Sequence, residues 1–258
     1  MPDYGPLTAV GPYFALDAAE TPDQGPPPGF RPLRELYVHG PDGLLADGVR
    51  SVARRIGTAE ARVAASTLHL GLAARFCSVL LGSAVLLGDV PELDRDRSWV
   101  RVPAQGPVDL WVPDRPSSAT TDHGPLADRL HRALLDGPLA ELAAAVRSVV
   151  PLSEGLLRGN TASALTGALR MLDAHIARAG AAPAGGRAFA RTLVADLLDR
   201  APLTGTGTLS GASFRRSSCC LYYRVGPQAG VCGDCCFTRP PRRPDGGRRK
   251  ATAAPGSP

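Results

Sequence analysis

Apolar residues recur at three- and four-residue intervals through most of this chain. The longest run starts near Thr58, where Ala61, Ala65, Leu68, Leu72, Phe76, Val79 and Leu80 share one face of a helix of about seven turns. Gly71 and Gly82 interrupt it, which predicts a kink or a close approach by another element. A shorter helix is expected near Leu44 to Ile56, after an extended piece at Leu36-Tyr37-Val38. Helical spacing resumes at Leu126, Leu130, Ala133 and Leu134, breaks at Gly137-Pro138, and continues through Leu139, Leu142, Val146 and Val149. Two further helices carry Leu157, Leu165, Leu169, Leu172 and Ile176, then Phe189, Leu193 and Leu197. From Gly88 to Asp122 the pattern changes. Pro91, Pro103, Pro107, Pro113 and Pro116 forbid a long helix, and Val108-Asp109-Leu110-Trp111-Val112 alternates as a strand does.

The expected fold class is therefore mainly α: a helical core with a few short strands and a C-terminal cysteine-rich module. Residues 1–30, rich in Pro and Gly, read as a flexible leader. Residues 31–204 form the helical core, 205–237 the cysteine module and 238–258 a disordered basic tail. Gly180 to Gly186 reads as a flexible joint, and Gly205 to Gly211 as a linker into the cysteines.

At 258 residues the chain is long enough for a sizeable core. Its net charge of +5 is confined to the stretch after Cys236, which holds Arg239, Arg242, Arg243, Arg248, Arg249 and Lys250 against Asp245. A neutral body with a basic tail argues against nucleic acid as a partner, although such a tail could touch an anionic membrane surface. The N-terminus has no basic segment followed by an apolar one, and the apolar stretch Cys77 to Leu87 is too short to span a bilayer. The expected location is the cytoplasm, where clustered thiols signal metal or redox chemistry more often than disulfides.

Cys219, Cys220, Cys232, Cys235 and Cys236, five of the six cysteines, fall within 18 residues. Cys232-Gly-Asp-Cys235 predicts a tight turn in which Gly233 gives the backbone freedom to converge two sulfurs. The other pair is adjacent, whereas structural zinc sites normally take each pair as Cys-x(2–4)-Cys. Both features favour an iron–sulfur cluster. The alternative is a four-cysteine zinc-binding interaction module without redox activity. Leu221, Tyr222, Tyr223 and Phe237 could shield a cluster from water, and Arg215, Arg216 and Arg224 bring positive charge that would raise its potential. His39, His69, His123, His131 and His175 lack metal-ligand spacing and read as surface or satisfied structural residues. Cys77 reads as a core residue, Trp111 as a packing residue and Asn160 as the donor or acceptor of a helix-associated hydrogen bond, rather than as cleft-lining groups.

Arg215-Arg216-Ser217-Ser218-Cys219-Cys220-Leu221-Tyr222-Tyr223-Arg224, followed by Cys232-Gly233-Asp234-Cys235, resembles the C-terminal signature of FhuF-type ferric-siderophore reductases, Cys-Cys-x10-Cys-x2-Cys. Arg62-Val63-Ala64-Ala65-Ser66, Leu72-Ala73-Ala74-Arg75 and Gly82 are similar to the family's long helix, and Gly159-Asn160 with Ser163-Ala164-Leu165 to a later segment. The resemblance implies a cytoplasmic oxidoreductase that passes one electron from a [2Fe-2S] cluster to Fe(III) in a siderophore, of hydroxamate type, and so releases Fe(II). It implies Cys219, Cys220, Cys232 and Cys235 as cluster ligands. One departure bears on that set: eleven residues, not ten, separate Cys220 from Cys232, the extra one falling in Gly226-Pro227-Gln228-Ala229-Gly230. With Cys236 adjacent, the fourth ligand is either Cys235 or Cys236. The chain has no Gly-x-Gly-x-x-Gly fingerprint, and Gly205-Thr-Gly207-Thr-Leu-Ser-Gly211 has the wrong spacing. Electrons are therefore expected from another protein, such as a ferredoxin.

Overall fold

The computed structural model describes residues 3–21, 23–103, 106–113, 120, 122–179, 186–226 and 229–241. The segment 180–185, Pro116, Pro227-Gln228 and the tail from 242 onward lie outside the described residues.

The helices lie where the apolar spacing predicts. After a single turn α1 (Gly5–Thr8) come α2 (Leu44–Ile56), α3 (Ala61–Leu87), α4 (His123–His131), α5 (Pro138–Val149), α6 (Glu154–Ala179) and α7 (Gly186–Asp199). Gly57 and Gly88 end α2 and α3 in the left-handed conformation that glycine adopts without strain. A turn of π-helix, Arg132–Asp136, bridges α4 and α5 up to the break at Gly137-Pro138. The fold is mainly α, 53% helical, as expected.

α3 is the central element. The spacing predicted one buried face, but residues on all sides are buried, because α2, α5, α6, α7 and the leader surround it. At 27 residues it is long and apolar enough to cross a membrane by length and composition, contrary to the shorter stretch read from the sequence. Most of that length is enclosed by the rest of the chain, as in the core helix of a globular domain. α6 runs along it and makes the most extensive helix pair of the fold.

Three expectations need correction. Residues 1–30 are not a loose leader: Leu7, Phe14 and Leu16 belong to the core. Gly82 makes room for them, since a Cβ there would stand 2.7 Å from Phe14 Cδ1 and 3.1 Å from Leu7 Cδ2. The buried guanidinium of Arg75 holds the segment from below, donating from Nε to the Val108 carbonyl at 2.6 Å, from Nη1 to that of Tyr13 at 2.7 Å, and from Nη2 to that of Ala15. Isolated apolar residues between prolines have no period, so only their tertiary partners reveal that they are core.

The second correction concerns Leu36-Tyr37-Val38. Leu33–Tyr37 is a turn of 3-10 helix, and the chain becomes extended only at Val38. The nearby strands are β1 (Asp17–Ala18), β2 (Arg31–Pro32), β3 (Trp99–Arg101) and β4 (Asp109–Val112), the last of these expected. They form one sheet in the order β1-β4-β3-β2, with β1 parallel to β4 and the other neighbours antiparallel. Third, the expected linker Gly205 to Gly211 is mostly hairpin: β5 (Gly207–Ser210) pairs with β6 (Ser213–Arg216) around Gly211, which has φ +61°. Gly207 is required there, since a Cβ would fall 2.4 Å from the Arg215 carbonyl oxygen.

Candidate metal centre

The β5–β6 hairpin delivers the cysteines to the middle of the α3–α6 pair. Past β6, the Ser218 hydroxyl donates to the Gly155 carbonyl on α6 at 2.9 Å. Gly159 allows this approach: a Cβ there would lie 2.3 Å from Ser218 Oγ and 2.8 Å from Arg216 Nη2. On α3 the buried Ser66 hydroxyl donates to the Cys220 carbonyl at 2.8 Å. Asn160 Nδ2, from α6, donates to the Ser66 carbonyl and Oγ at 3.0 and 3.1 Å. Asn160 thus makes the helix-associated hydrogen bond expected of it, and that bond joins both long helices at the first cysteine pair. Trp111 is buried in the sheet, as expected.

The second cysteine segment closes from above. Cys235 N–H donates to the Cys232 carbonyl at 3.1 Å, which is the tight turn read from the sequence. Arg216 N–H donates to the Asp234 carbonyl at 3.0 Å, fastening that turn to β6. The Asp234 carboxylate takes Arg170 of α6, with Nη1 at 3.0 Å and Nη2 at 3.5 Å. Arg224 pairs with Glu60 at 2.7 Å.

Cys219, Cys220, Cys232, Cys235 and Cys236 are all free thiols, and the sulfurs of Cys220 and Cys232 stand 3.4 Å apart. That contact joins the two cysteine segments. Backbone N–H groups point at the sulfurs: Leu221 donates to Cys219 Sγ at 3.2 Å and Phe237 to Cys235 Sγ at 3.4 Å. To present its amide, Leu221 adopts φ +69°, a left-handed conformation that costs a branched side chain energy and is found at functional sites. That strain is invisible in the sequence.

The thiols respond to one another and to their surroundings. The hydrogen bond with Cys232 brings Cys220 down to about 6, helped by the Tyr222 amide and the Arg216 charge, and the same bond pushes Cys232 up. Burial raises Cys219 and Cys236. Cys77 stands apart on α3, fully buried and raised by that burial, an inert core thiol as expected.

Among the described residues, no group of three or more His, Cys, Asp or Glu side chains closes on a single ion. A two-iron centre asks less of any one point, because its four thiolates are shared between two irons. The donor set fits it: free thiols from two segments, amides aimed at sulfur, and a buried cation alongside.

Of the expected shield, Tyr223 and Phe237 meet edge to face with centroids 6.0 Å apart, but Phe237 is exposed, as is Tyr222. The three arginines separate sharply. Arg215 is exposed and reaches the Cys236 carbonyl, Arg224 is held by Glu60, and Arg216 is buried. His69 departs from expectation: it is buried on α3 with neither ring nitrogen partnered, and burial followed by the Arg216 charge lowers it to about 3, keeping it neutral. Beside Cys232 opens a cleft of about 360 Å³. Tyr13, Leu70, Ala164 and Met171 are on its apolar wall, and Arg216 and Asp234 also line it.

The family model described as FhuF 2Fe-2S C-terminal domain matches residues 216–237. The cysteine module belongs to that domain family. Its cofactor is a [2Fe-2S] cluster, and the FhuF-type module is an iron–sulfur, metal-binding unit. The matched residues include all five clustered cysteines; the similarity read at Arg62 to Gly82 and at Gly159-Asn160 lies upstream of them. Comparison with curated proteins and with solved structures gives no match.

Proposed function

We propose that the protein is a ferric-siderophore reductase of the cytoplasm, with Cys219, Cys220, Cys232 and Cys235 holding its cluster. The observation that carries this reading is the opening of the apolar cleft directly beside Cys232, in a module of FhuF 2Fe-2S type. The bound cluster supplies one electron to siderophore Fe(III), and hard hydroxamate oxygens hold the resulting Fe(II) far more weakly.

The residues of this chain do the rest. Tyr13, Leu70 and Met171 offer apolar surface to an arm of the chelate, and the Arg170–Asp234 pair holds the Cys232 turn at the edge of the cleft. Phe237 N–H, bonded to Cys235 Sγ, favours Cys235 over Cys236 as the fourth ligand. The electron comes from an external donor protein such as a reduced ferredoxin.

The test is anaerobic mixing of the dithionite-reduced, desalted protein with a ferric hydroxamate siderophore and an Fe(II)-specific chromogenic chelator. The expected result is bleaching reversed at the rate Fe(II) appears, with one Fe(II) per cluster. A cluster that stays reduced beside the ferric chelate refutes the reading.

A further inference from the structure

Arg216 closes β6 with a side chain that is 2% exposed. A guanidinium has five N–H donors, no acceptor, and a charge it does not give up. Here the Leu156 carbonyl takes Nη2 at 3.2 Å, while Nε and Nη1 find no partner. A buried cation left so is costly in a folded chain unless an anion completes its surroundings. The neighbouring carboxylate does not serve, because Asp234 is turned to Arg170 and meets Arg216 through its backbone carbonyl. His69 is neutral and carries no compensating charge. What does lie beside Arg216 is sulfur: it lines the cleft together with Cys232, and its own N–H is bonded to the Asp234 carbonyl inside the Cys232–Cys235 turn.

We propose that Arg216 is the buried counter-cation of the cluster, a positioning residue whose unpaired guanidinium donors are completed by the bound anionic centre and whose charge sets the reduction potential. It deepens the reductase reading, yet rests only on the thiols holding a [2Fe-2S] cluster and not on which oxidant the cluster meets. The centre is anionic and becomes more so by one charge on reduction, so a fixed cation stabilises the reduced form more than the oxidised one. Of the three arginines around the cysteines, this assigns the effect to one. Arg215 is exposed and Arg224 is neutralised by Glu60, so both are screened or spent.

The test is a redox titration of the full-length, cluster-loaded protein, followed by EPR and visible absorption, for the wild type, Arg216→Gln, Arg216→Lys and Arg215→Gln. Arg216→Gln is expected to lower the reduced-to-oxidised ratio at least tenfold at a fixed mediator potential, a shift of 59 mV or more for one electron. Arg216→Lys, which keeps the charge but not the fork, is expected to recover most of that shift, and Arg215→Gln to move the ratio less than twofold. A ratio within twofold of wild type for Arg216→Gln, or a lysine variant shifted as far as the glutamine one, overturns the proposal. If Arg216→Gln purifies without iron, the lysine variant decides: full iron content and a near wild-type potential sustain the proposal, and iron loss equal to that of the glutamine variant overturns it. Siderophore reduction enters none of these readouts, so failure here is distinct from failure of the reductase reading.

Discussion

The hydroxyl of Ser66, buried in the middle of α3, donates a 2.8 Å hydrogen bond to the carbonyl of Cys220, 154 residues further along the chain. Asn160 of α6 grips Ser66 in turn. The first cysteine pair is thus positioned by two helices that lie far from it in sequence.

Replacing Ser66 by Ala leaves the buried Cys220 carbonyl without this partner, at a cost of about 1–3 kcal/mol. If that cost falls on the docked module, iron loss to a chelator accelerates about 5- to 160-fold. Stopped assays of chelator-bound iron measure it, and a rate equal to wild type would show that the bond does not hold the cysteines.

Gly159→Ala would place a methyl group where Ser218 Oγ and Arg216 Nη2 now lie, at 2.3 and 2.8 Å. The hairpin must then lift from α6, and purified protein is expected to hold less than about half the wild-type iron and sulfide, since overpacking a buried contact displaces one side of it. Gly155→Ala one turn earlier meets nothing within 4 Å and serves as the control.

Single replacement of Cys235 by Ser is expected to abolish the visible charge-transfer bands, and of Cys236 by Ser to leave them. Phe237 N–H points at Cys235 Sγ, whereas the Cys236 contact with Arg215 is made by its main-chain carbonyl. The reverse pair of spectra would transfer the ligand role to Cys236.

Asp173 on α6 accepts hydrogen bonds from Arg187 at 2.8 Å and Arg191 at 2.7 Å, both on α7. The Arg187 bond, opposed in part by burial and aided by Arg191, holds the carboxyl below its ordinary value. Its contribution is therefore complete above the unfolded-state value near 3.9 and is lost as pH falls through the lower folded value. Urea midpoints followed downward from pH 5 are expected to fall less steeply for Asp173→Asn than for the wild type; identical slopes would exclude the pair as an acid-sensitive link between α6 and α7.

Much of this arrangement is legible in the residue order. Local periodicity located α2, α3, α5 and α6, because a helix that buries a face must repeat its apolar residues near every 3.6 positions. The tight turn at Cys232 to Cys235 and the closely spaced thiols were legible for the same reason: both are properties of a few adjacent residues. The leader, the β5–β6 hairpin and His69 were misread because their roles come from partners distant in the chain. Phe14 is core because Gly82 leaves it space, and His69 is neither exposed nor hydrogen-bonded because α3 is enclosed on every side.

The sequence by itself determined the helical character and the close clustering of the cysteines, both of which depend on short-range spacing and side-chain chemistry. Only the tertiary structure decided which of three arginines lies buried near the sulfurs, which helices hold Cys220, and that a cleft opens beside Cys232. Burial and the pairing of charges are set by whatever packs around a group, and α3, α6 and β6 meet only once the chain has folded.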